Sequence, residues 1–221
     1  MMIEIKKSKE PKELLTYRLQ ENSSYGDMPH DIKEIVISSL MEEQGHLCAY
    51  CMRRIPFKDG HPKVTIEHLQ PQNAISDKEK LNYQNMLAVC PGNRNSTDNN
   101  DKSCDAFRGS LAPHKQTMTV NPLNPNTLRK IRYKNNGIIF SNDPDINSDL
   151  NDKLNLNCKA QLLPDCRANA LRVLQTKVAK DNPDRTARKE YFEKLLDKYK
   201  EDKPNKPQYV GILINWLESK I

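Results

Sequence analysis

The sequence predicts an α+β protein in which a cysteine-rich middle region lies between mainly helical flanks. Three observations support this class: apolar residues recur at helical spacing in the flanks, β-rich runs surround Asn136-Gly137, and residues 45–112 combine weak periodicity with four of the six cysteines. We therefore divide the 221 residues into an N-terminal helical segment (1–44), a cysteine-rich core (45–112) and a region with a hairpin and helices (113–221).

The N-terminal segment is expected to be helical. Residues 31–44 place their apolar side chains on one helical face, and a shorter helix is expected over residues 11–20. The spacing Asp31-x-x-Glu34 is typical of a capping box at the start of a helix, and Gly45 stands where the longer helix would end. This helix would deliver the chain to the first cysteine.

The C-terminal region is expected to contain a hairpin followed by helices. The run IRYKNNGIIF at 131–140 places Asn-Gly between two β-rich halves, which is a strong hairpin signal. A loop rich in Asn, Asp and Pro is expected to follow, to about residue 150. Beyond it, periodic apolar residues predict helices, separated at Pro183 and by a linker at 203–207, over residues 166–180, 184–200 and 208–220.

Composition and charge restrict the class of protein. The longest apolar run, VGILINWL, has eight residues, whereas a membrane helix needs about 20. The first residues are charged and lack the apolar stretch of a secretion signal, so we expect a cytosolic protein whose thiols stay reduced. The net charge is +6, and residues 167–206 carry 12 Lys/Arg against 7 Asp/Glu. A basic surface of this kind suits the phosphate backbone of a nucleic acid.

Four cysteines predict a structural zinc site. Cys48 and Cys51 have the C-x-x-C spacing that lets one tight turn direct two sulfurs at a tetrahedral ion, and Cys90 and Cys104 supply a second pair. Residues 45–112 are too polar to bury much apolar surface, so we expect a bound metal to hold them together. A thiol redox protein would share the C-x-x-C spacing, but no thioredoxin-like βαβ pattern surrounds it.

The remaining cysteines, two histidines and several basic residues are not assigned to the main zinc site. Cys158 and Cys166 lie in the helical region and are expected to be thiols without a ligand role. His46 precedes the cysteine turn and could substitute as a zinc ligand, while His61 lies in a Gly-Pro turn and is expected to be exposed. Basic residues that would suit sequence-independent phosphate contacts are Arg53, Arg54, Lys63, Arg94 and Lys102.

Between the two cysteine pairs, VTIEHLQP places Glu67 beside His68 in a segment that predicts a strand. Histidine is the natural general base near neutral pH, and a carboxylate is a hard ligand suited to Mg²⁺. Side by side they could activate water next to a divalent ion that neutralises a phosphate. An isolated Glu-His pair is common, so its weight depends on the surrounding motifs.

The order of the motifs resembles that of the HNH endonuclease family. The chain has C-x-x-C at 48–51, Glu-His-x-x-Pro from Glu67, Asn85 before an apolar strand-like run, and CDAFRG at 104–109. This resemblance covers residues 45–112. The stretches GHLCAYCMRRI and IEHLQP are further similar to the HNH nucleases of retron and Septu anti-phage systems, which carry helical flanks and pair with an ATPase partner.

The resemblance implies a ββα-metal fold, with the histidine on the first of two strands and a helix closing the site. His68 would be the general base that takes a proton from the attacking water, and Glu67 and Asp105 would hold a catalytic Mg²⁺ or Mn²⁺. Asn85 would position the loop and the histidine. Arg108 stands where the family commonly has lysine and would contact the scissile phosphate. The implied reaction is phosphodiester hydrolysis that leaves 5′-phosphate and 3′-hydroxyl ends.

Two alternatives stay open within this assignment. Asn93 or Asn95 could replace Asp105 as the last metal ligand, although Asp105 is preferred because an Arg-Gly pair follows it at family spacing. DNA is the preferred substrate by family habit, but the same chemistry would cleave RNA, including tRNA.

A different functional class also fits the motif. A zinc-stabilised region with basic helices could be a catalytically inactive adaptor that binds nucleic acid or a protein such as an ATPase. An adaptor has no need of Glu67, His68, Asn85 and Asp105 together. Their joint presence therefore favours the nuclease.

Overall fold

The computed structural model describes residues 2–181, 188–201 and 204–221 and has an α+β fold. Apart from α2, which has 14 residues, its first two thirds consist of short helices and antiparallel strands, and three helices end it. The helices are α1 Lys12–Arg18, α2 His30–Glu43, α3 Asp77–Lys80, α4 Cys104–Arg108, α5 Pro125–Leu128, α6 Pro144–Ser148, α7 Leu163–Asp181, α8 Arg188–Lys200 and α9 Val210–Glu218. The strands are β1 Phe57–Lys58, β2 His61–Pro62, β3 Thr65–His68, β4 Met86–Val89, β5 Ile131–Tyr133 and β6 Ile139–Ser141.

In the described residues the strands form three antiparallel pairs, β1–β2, β3–β4 and β5–β6. In the central pair, Thr65 lies opposite Val89 and His68 lies opposite Met86. Every residue of β4 is buried, as is β3 from its second residue onward. β3 therefore confirms the strand predicted around Glu67, and α4 begins at Cys104. In the chain, the short helix α3 lies between β3 and β4.

Helix α2 confirms the longer N-terminal helix, but its first turn differs from the prediction. The N-cap is Pro29 and no side chain caps the helix, so the capping box predicted from Asp31 and Glu34 is wrong. Asp31 lies inside the first turn, too far along the chain to cap it. At the other end Gly45 adopts φ +62° and terminates the helix as expected.

The middle region is better packed than its polarity predicts. Residues 47–52 and 86–90 are buried, and so are Leu81 and Tyr83. The expectation that this region lacks a core is therefore wrong. Its apolar residues form short runs that pack near α2 and join one cluster with the buried residues of the flanks. Runs this short carry too little periodicity to be recognised as core from the sequence.

Residues 144–153 are helical, where the sequence predicted a loop. α6 begins because the Asp143 side chain accepts hydrogen bonds from two N–H groups of the first turn, and because Pro144 suits the first helical position. The chain continues as a π-helical segment, Asp149–Lys153. Asn, Asp and Pro are common in loops, but the same residues cap and start helices, which explains the error.

The helices predicted over residues 166–180 and 208–220 are confirmed as α7 and α9, although α7 begins three residues earlier. α8 confirms most of the helix predicted over residues 184–200. Residues 184–187 of that predicted helix lie outside the described residues. So do Pro183 and residue 203 of the predicted linker. Across the described ranges, no helix combines the length and the apolar composition that crossing a membrane requires.

One buried ion pair ties the N-terminal segment to the core. Lys7 Nζ donates to the Glu43 carboxylate at 2.8 Å and to the Met86 carbonyl oxygen at 3.2 Å, and it lies 3.6 Å from the centre of the Tyr83 ring. Glu43 also accepts from the Tyr83 hydroxyl at 2.7 Å and from the Ser8 hydroxyl at 2.5 Å. The segment before α1 therefore fixes both the end of α2 and the start of β4.

Two arginines of the cysteine region hold the C-terminal part of the chain. Arg53 donates from Nε to the Tyr209 hydroxyl at 3.1 Å and from Nη2 to the Gln161 carbonyl oxygen at 2.7 Å. Arg54 donates to the carbonyl oxygen of Lys206. The structure therefore assigns both arginines to packing, in place of the phosphate contacts expected of them.

The hairpin predicted around Asn-Gly is confirmed as β5–β6, and its turn packs closely against α7. A Cβ added at Gly137 (φ +83°) would lie 1.9 Å from the carbonyl oxygen of Pro164, whereas Gly60 (φ +79°) has nothing within 4 Å.

We expect Gly137→Ala to lower the free energy of unfolding by more than about 3 kcal/mol, and Gly60→Ala by about 1 kcal/mol from backbone strain alone. Chemical denaturation measures both losses, and equal losses would contradict this packing.

The ion pair of Glu43 predicts how stability depends on pH. Burial alone would raise the pKa of Glu43, but hydrogen bonds from Lys7, Ser8 and Tyr83 outweigh burial and lower the pKa below its ordinary value. A carboxyl with a lowered folded-state pKa stabilises the protein above about pH 4.3 and loses that contribution as the pH falls through the folded-state pKa.

We therefore expect Glu43→Gln to destabilise the protein by about 1 kcal/mol at about pH 7, a value discounted for solvent screening, and by less at about pH 3. Urea unfolding at both pH values is the measurement. Glu42→Gln, which changes the exposed neighbour, is the matched control. A Glu43→Gln loss that does not shrink in acid would show that the carboxylate contributes no charge-dependent stability.

Candidate functional site

The four cysteines predicted to bind zinc meet at one point. The Sγ atoms of Cys48 and Cys104 are 3.8 Å apart, those of Cys51 and Cys90 are 3.8 Å apart, and those of Cys90 and Cys104 are 3.9 Å apart. All four sulfurs lie within 4.8 Å of one another. A tetrahedral zinc ion with Zn–S bonds of about 2.3 Å separates its sulfurs by about 3.8 Å. The cluster therefore fits a closed four-cysteine zinc site.

A tight turn positions the first cysteine pair. The N–H of Met52 donates to the carbonyl oxygen of Cys48 at 3.0 Å, and the N–H of Cys48 donates to the carbonyl oxygen of Arg53 at 2.9 Å. These two bonds close the chain around Cys51, so that both sulfurs project to the same side. The C-x-x-C spacing had predicted this arrangement.

A close backbone approach joins the second pair despite its long spacing. Cys90 directly follows β4, and Cys104 begins α4 with its N–H bonded to the carbonyl oxygen of Leu154 at 2.7 Å. Gly92 (φ +56°) brings the two segments together, because a Cβ there would lie 2.1 Å from the carbonyl oxygen of Ser103. Only glycine permits this contact, so the loop between the cysteines closes on itself.

The buried thiols of the cluster influence one another's ionisation. Burial alone would raise the pKa of Cys48, but hydrogen bonds with the other three thiols lower it well below its ordinary value. The same neighbours, together with burial, raise the pKa of Cys104 well above its ordinary value. Four adjacent thiolates repel one another, so a divalent cation is what lets all of them ionise. A donor set of four thiolates selects zinc among common divalent ions.

Cys158 and Cys166 lie outside the cluster, as predicted. The buried Cys158 contacts the carbonyl oxygen of Asn100 at 3.5 Å, and Cys166 is half-buried on α7. Among the described residues, the four cysteines are the one group of three or more His, Cys, Asp or Glu side chains whose ligand atoms lie this close together. The possible substitution of His46 as a ligand is therefore wrong.

A cleft of about 280 Å³ is lined by Glu67, His68, Asp105 and Arg108. The first two residues come from β3, and the other two come from α4. Because α4 begins at Cys104, the cysteine cluster fixes the helix that supplies half of this cleft.

His68 is buried at the end of β3, and its ring is held from two sides. Nε2 lies 2.8 Å from the carbonyl oxygen of Lys80, and the Tyr25 ring stands perpendicular to the imidazole with centroids 4.6 Å apart. A carbonyl oxygen only accepts hydrogen bonds, so Nε2 carries the proton and Nδ1 keeps a lone pair. Within the described part of the chain, the buried Nδ1 has no hydrogen-bond partner. Burial lowers the pKa of His68, which favours the neutral ring.

The carboxyl groups of Glu67 and Asp105 line the same cleft and interact electrostatically. Burial and the Asp105 carboxylate raise the pKa of Glu67 to about 8, and Arg108 offsets only part of this rise. Two carboxylates that share a small buried space are stabilised by a cation. Among the described side chains, Glu67, His68 and Asp105 do not form a tight group of three ligand atoms.

Arg108 is buried and donates to groups of the protein. Nη1 donates to the Glu67 carboxylate and to the carbonyl oxygen of His68, 3.0 Å away, and Nη2 donates to the carbonyl oxygen of Leu69 at 2.9 Å. Nε donates to the carbonyl oxygen of Gln116 at 2.7 Å. The guanidinium therefore holds the end of β3 through these bonds, and it also lines the cleft.

Asn85 holds the segment that follows His68. Its Oδ1 accepts from the N–H of Gln70 at 2.8 Å, and its carbonyl oxygen accepts from the N–H of Leu69 at 2.9 Å. The side chain is buried at the start of β4. Asn85 is thus placed to position the loop, as the resemblance implied.

Asp105 is the candidate last ligand that lines the cleft; Asn93 and Asn95 are not among its lining residues. Asn93 instead donates from Nδ2 to the carbonyl oxygen of Asp101 at 3.3 Å. Arg94 donates to the Asp105 carboxylate and is half exposed. This geometry favours Asp105 over the two asparagines, and it places the exposed Arg94 beside Asp105.

The sequence motifs assigned no role to three residues that contact the side chains of the cleft. Tyr25, from the loop before α2, packs on His68, and burial together with nearby carboxylates raises its pKa to about 12. The Tyr50 hydroxyl donates to Glu67 at 3.1 Å. Lys80 contributes only its backbone carbonyl, which no side-chain pattern reveals. The position of Tyr50 inside C-x-x-C was the one available signal among the three.

No protein-family model matches the chain, and no curated protein matches it. The geometry of the cleft and the order of the motifs are therefore the grounds on which its function can be inferred.

Removing one sulfur tests the metal site. We expect about one zinc ion per chain, and we expect Cys48→Ser to lose the ion and unfold at lower temperature, because the binding energy of structural zinc, about 10–16 kcal/mol, contributes to folding. Cys166→Ser is the matched control, since it removes a half-buried thiol outside the cluster. Elemental analysis and thermal unfolding are the measurements. Full zinc content in Cys48→Ser would exclude that sulfur as a ligand.

Proposed function

We propose that this protein is a metal-dependent endonuclease of the HNH type that hydrolyses phosphodiester bonds in nucleic acid, with DNA as the preferred substrate. One observation carries the proposal: a single cleft combines a neutral histidine, His68, with the adjoining carboxylates of Glu67 and Asp105. Those groups are a base and a pair of hard ligands, which is what metal-assisted hydrolysis of a phosphodiester requires.

His68 is the proposed general base. Its proton lies on Nε2, bound to the carbonyl oxygen of Lys80, so Nδ1 is the atom that accepts a proton from the attacking water. Because burial lowers the pKa of His68, the ring is already unprotonated near neutral pH. The Tyr25 ring packs against the imidazole and restricts its rotation.

Glu67 and Asp105 are the proposed ligands of a catalytic Mg²⁺ or Mn²⁺ ion, which when bound supplies charge stabilisation at the scissile phosphate. Arg108 orients Glu67 through its guanidinium, as Tyr50 does through its hydroxyl. Arg94, which is half exposed beside Asp105, is the cation placed to meet a phosphate oxygen. Structural zinc in the cysteine cluster holds α4 in register with β3.

The biological setting of the proposal rests on the resemblance of residues 45–112 to nucleases of retron and Septu systems. On that basis we propose a cytoplasmic effector of anti-phage defence that acts with an ATPase partner. The net charge of +6 supports a nucleic-acid substrate. RNA, including tRNA, remains the alternative substrate, since the cleft contains no group that distinguishes it from DNA.

A second candidate function is a zinc-stabilised adaptor without catalysis. The burial of the cleft residues favours it: His68 is 2% exposed and Glu67 is 7% exposed. In an adaptor, the same contacts would serve only to lock β3 against α4, and a partner would bind elsewhere on the basic surface.

Replacing the base separates the two candidates. We expect His68→Ala to lower the cleavage rate by about 10²–10⁴-fold, because a general base contributes about that much. Purified protein, with and without its ATPase partner, is incubated with supercoiled plasmid and with total tRNA in Mg²⁺, Mn²⁺ or EDTA. His61→Ala is the matched control, since that ring is exposed and lies outside the cleft.

The outcomes are distinct. Cleavage that needs Mg²⁺ or Mn²⁺ and is lost in His68→Ala, but not in His61→Ala, supports the endonuclease. Cleavage that persists in His68→Ala shows that the assigned base is wrong. Absence of cleavage under every condition, with metal and partner present, favours the adaptor.

A further inference from the structure

A second cavity, larger than the cleft, lies among the N-terminal segment, α5, β5, α8 and α9. Its volume is about 550 Å³, within the range of about 300–1,000 Å³ found for sites of small organic ligands. Its walls come from widely separated parts of the chain, so the fold shapes it and not a single loop. It shares no lining residue with the cleft at His68.

The walls of this cavity are basic. Five Lys or Arg side chains and two Glu side chains line it, a net charge of +3. One of the two acids, Glu218, is already paired with Lys200 at 2.8 Å. The exposed Arg129 forms no ion pair within the described residues. A concave site lined mainly by one sign of charge concentrates ions of the other sign, so the expected ligand is an anion.

Part of the cavity lining is apolar, and we call this part the floor. The half-buried Ile3 and Tyr199 belong to it, together with the buried Met2, Leu128 and Ile214. A small inorganic anion would use the basic wall and leave this floor unused. The lining therefore suits a ligand with a charged end and a flat or apolar body.

The basic wall is held in place by the fold. Arg132 donates from Nη1 to the carbonyl oxygen of Arg129, which keeps the two arginines side by side before and within β5. Lys206 is 7% exposed and packs on Gly45, where an added Cβ would lie 2.6 Å from its Cγ. Arg54 donates to the carbonyl oxygen of Lys206. The cavity is thus connected through backbone contacts to the turn that leads into the cysteine cluster.

We propose that this cavity binds a nucleoside phosphate, with its phosphate against Arg129 and Arg132 and its base over the apolar floor beside Tyr199. Guanidinium groups bind phosphate oxygens in a planar, paired arrangement, and a nucleobase stacks on aromatic and aliphatic surfaces. A nucleic-acid strand fits less well, because single-strand sites run along grooves for about 4–16 nucleotides.

Isothermal titration calorimetry on the full chain tests this site. The four ribonucleoside monophosphates, adenosine and inorganic pyrophosphate are titrated separately, without divalent ions and at about 0.15 M salt, where weak surface attraction is screened. We expect at least one monophosphate to bind, and adenosine and pyrophosphate to bind about tenfold more weakly or worse, because each lacks one of the two parts that the cavity contacts.

Charge reversal locates the binding. Arg129→Glu is expected to weaken the monophosphate about tenfold or more, since it places like charges together. Arg172→Glu reverses an exposed arginine on α7, outside the cavity, and is expected to change the affinity by less than about twofold. If Arg129→Glu lowers thermal stability, Arg132→Glu repeats the test at the same wall.

Each contrary result overturns a stated part of the proposal. No heat and no thermal stabilisation with any monophosphate would remove the site. Equal weakening by Arg129→Glu and Arg172→Glu would show non-specific attraction, and pyrophosphate binding as tightly as the monophosphates would remove the nucleoside. These experiments measure ligand binding and not cleavage of nucleic acid. A negative result here would therefore be independent of the His68→Ala result.

Discussion

Four sulfur atoms held within 4.8 Å of one another are the constraint on which the cleft depends. They join the turn at residues 48–52, the end of β4 and the first residue of α4. α4 has only five residues, far fewer than the 12–15 or so at which an isolated helix becomes even marginally stable. The cysteine cluster and the surrounding chain therefore determine the position of α4, and with it the positions of Asp105 and Arg108. A metal ion held by the four cysteines would for this reason couple its own binding to the formation of the cleft.

Arg108 links α4 to β3 through hydrogen bonds, so the position of the helix also determines that of the strand. Its guanidinium reaches the Glu67 carboxylate and the carbonyl oxygens of His68 and Leu69, so helix and strand cannot move independently. A buried charge of this kind is tolerated because its N–H groups are satisfied, and removing it would leave Glu67 unpaired. The same contact leaves the repulsion between Glu67 and Asp105 in place, which is what suits the pair to a cation.

Local features of the site were predictable from the sequence, and long-range ones were not. C-x-x-C fixes a turn, VTIEHLQP fixes a strand and Asn136-Gly137 fixes a hairpin, because each signal lies within a few residues of the structure it specifies. The direction of a side chain depends on neighbours from elsewhere in the chain. The motif singled out Arg108 but could not reveal the five protein acceptors that surround its guanidinium.

The dependence on distant parts of the chain also explains the other features that the sequence did not predict. Tyr25 reaches His68 from a loop 43 positions earlier, and Lys80 acts through a carbonyl oxygen that every residue possesses. The helix at residues 144–153 was missed because Asp143 and Pro144 serve loops and helix starts equally well. The core of the middle region was missed because its apolar runs are short and become contiguous only when α2 packs against β4.

The hydrogen bonds of His68 bear directly on the choice between catalysis and a purely structural role. A structural histidine is stabilised most when both ring nitrogens have partners, and a buried nitrogen without one costs about 1–3 kcal/mol. His68 has a carbonyl partner at Nε2 and none among the described residues at Nδ1. An adaptor gains nothing from that cost, whereas a hydrolase gains a base whose lone pair is fixed in direction and is not already engaged. The lone pair at Nδ1 therefore supports the proposed role of His68 as a base.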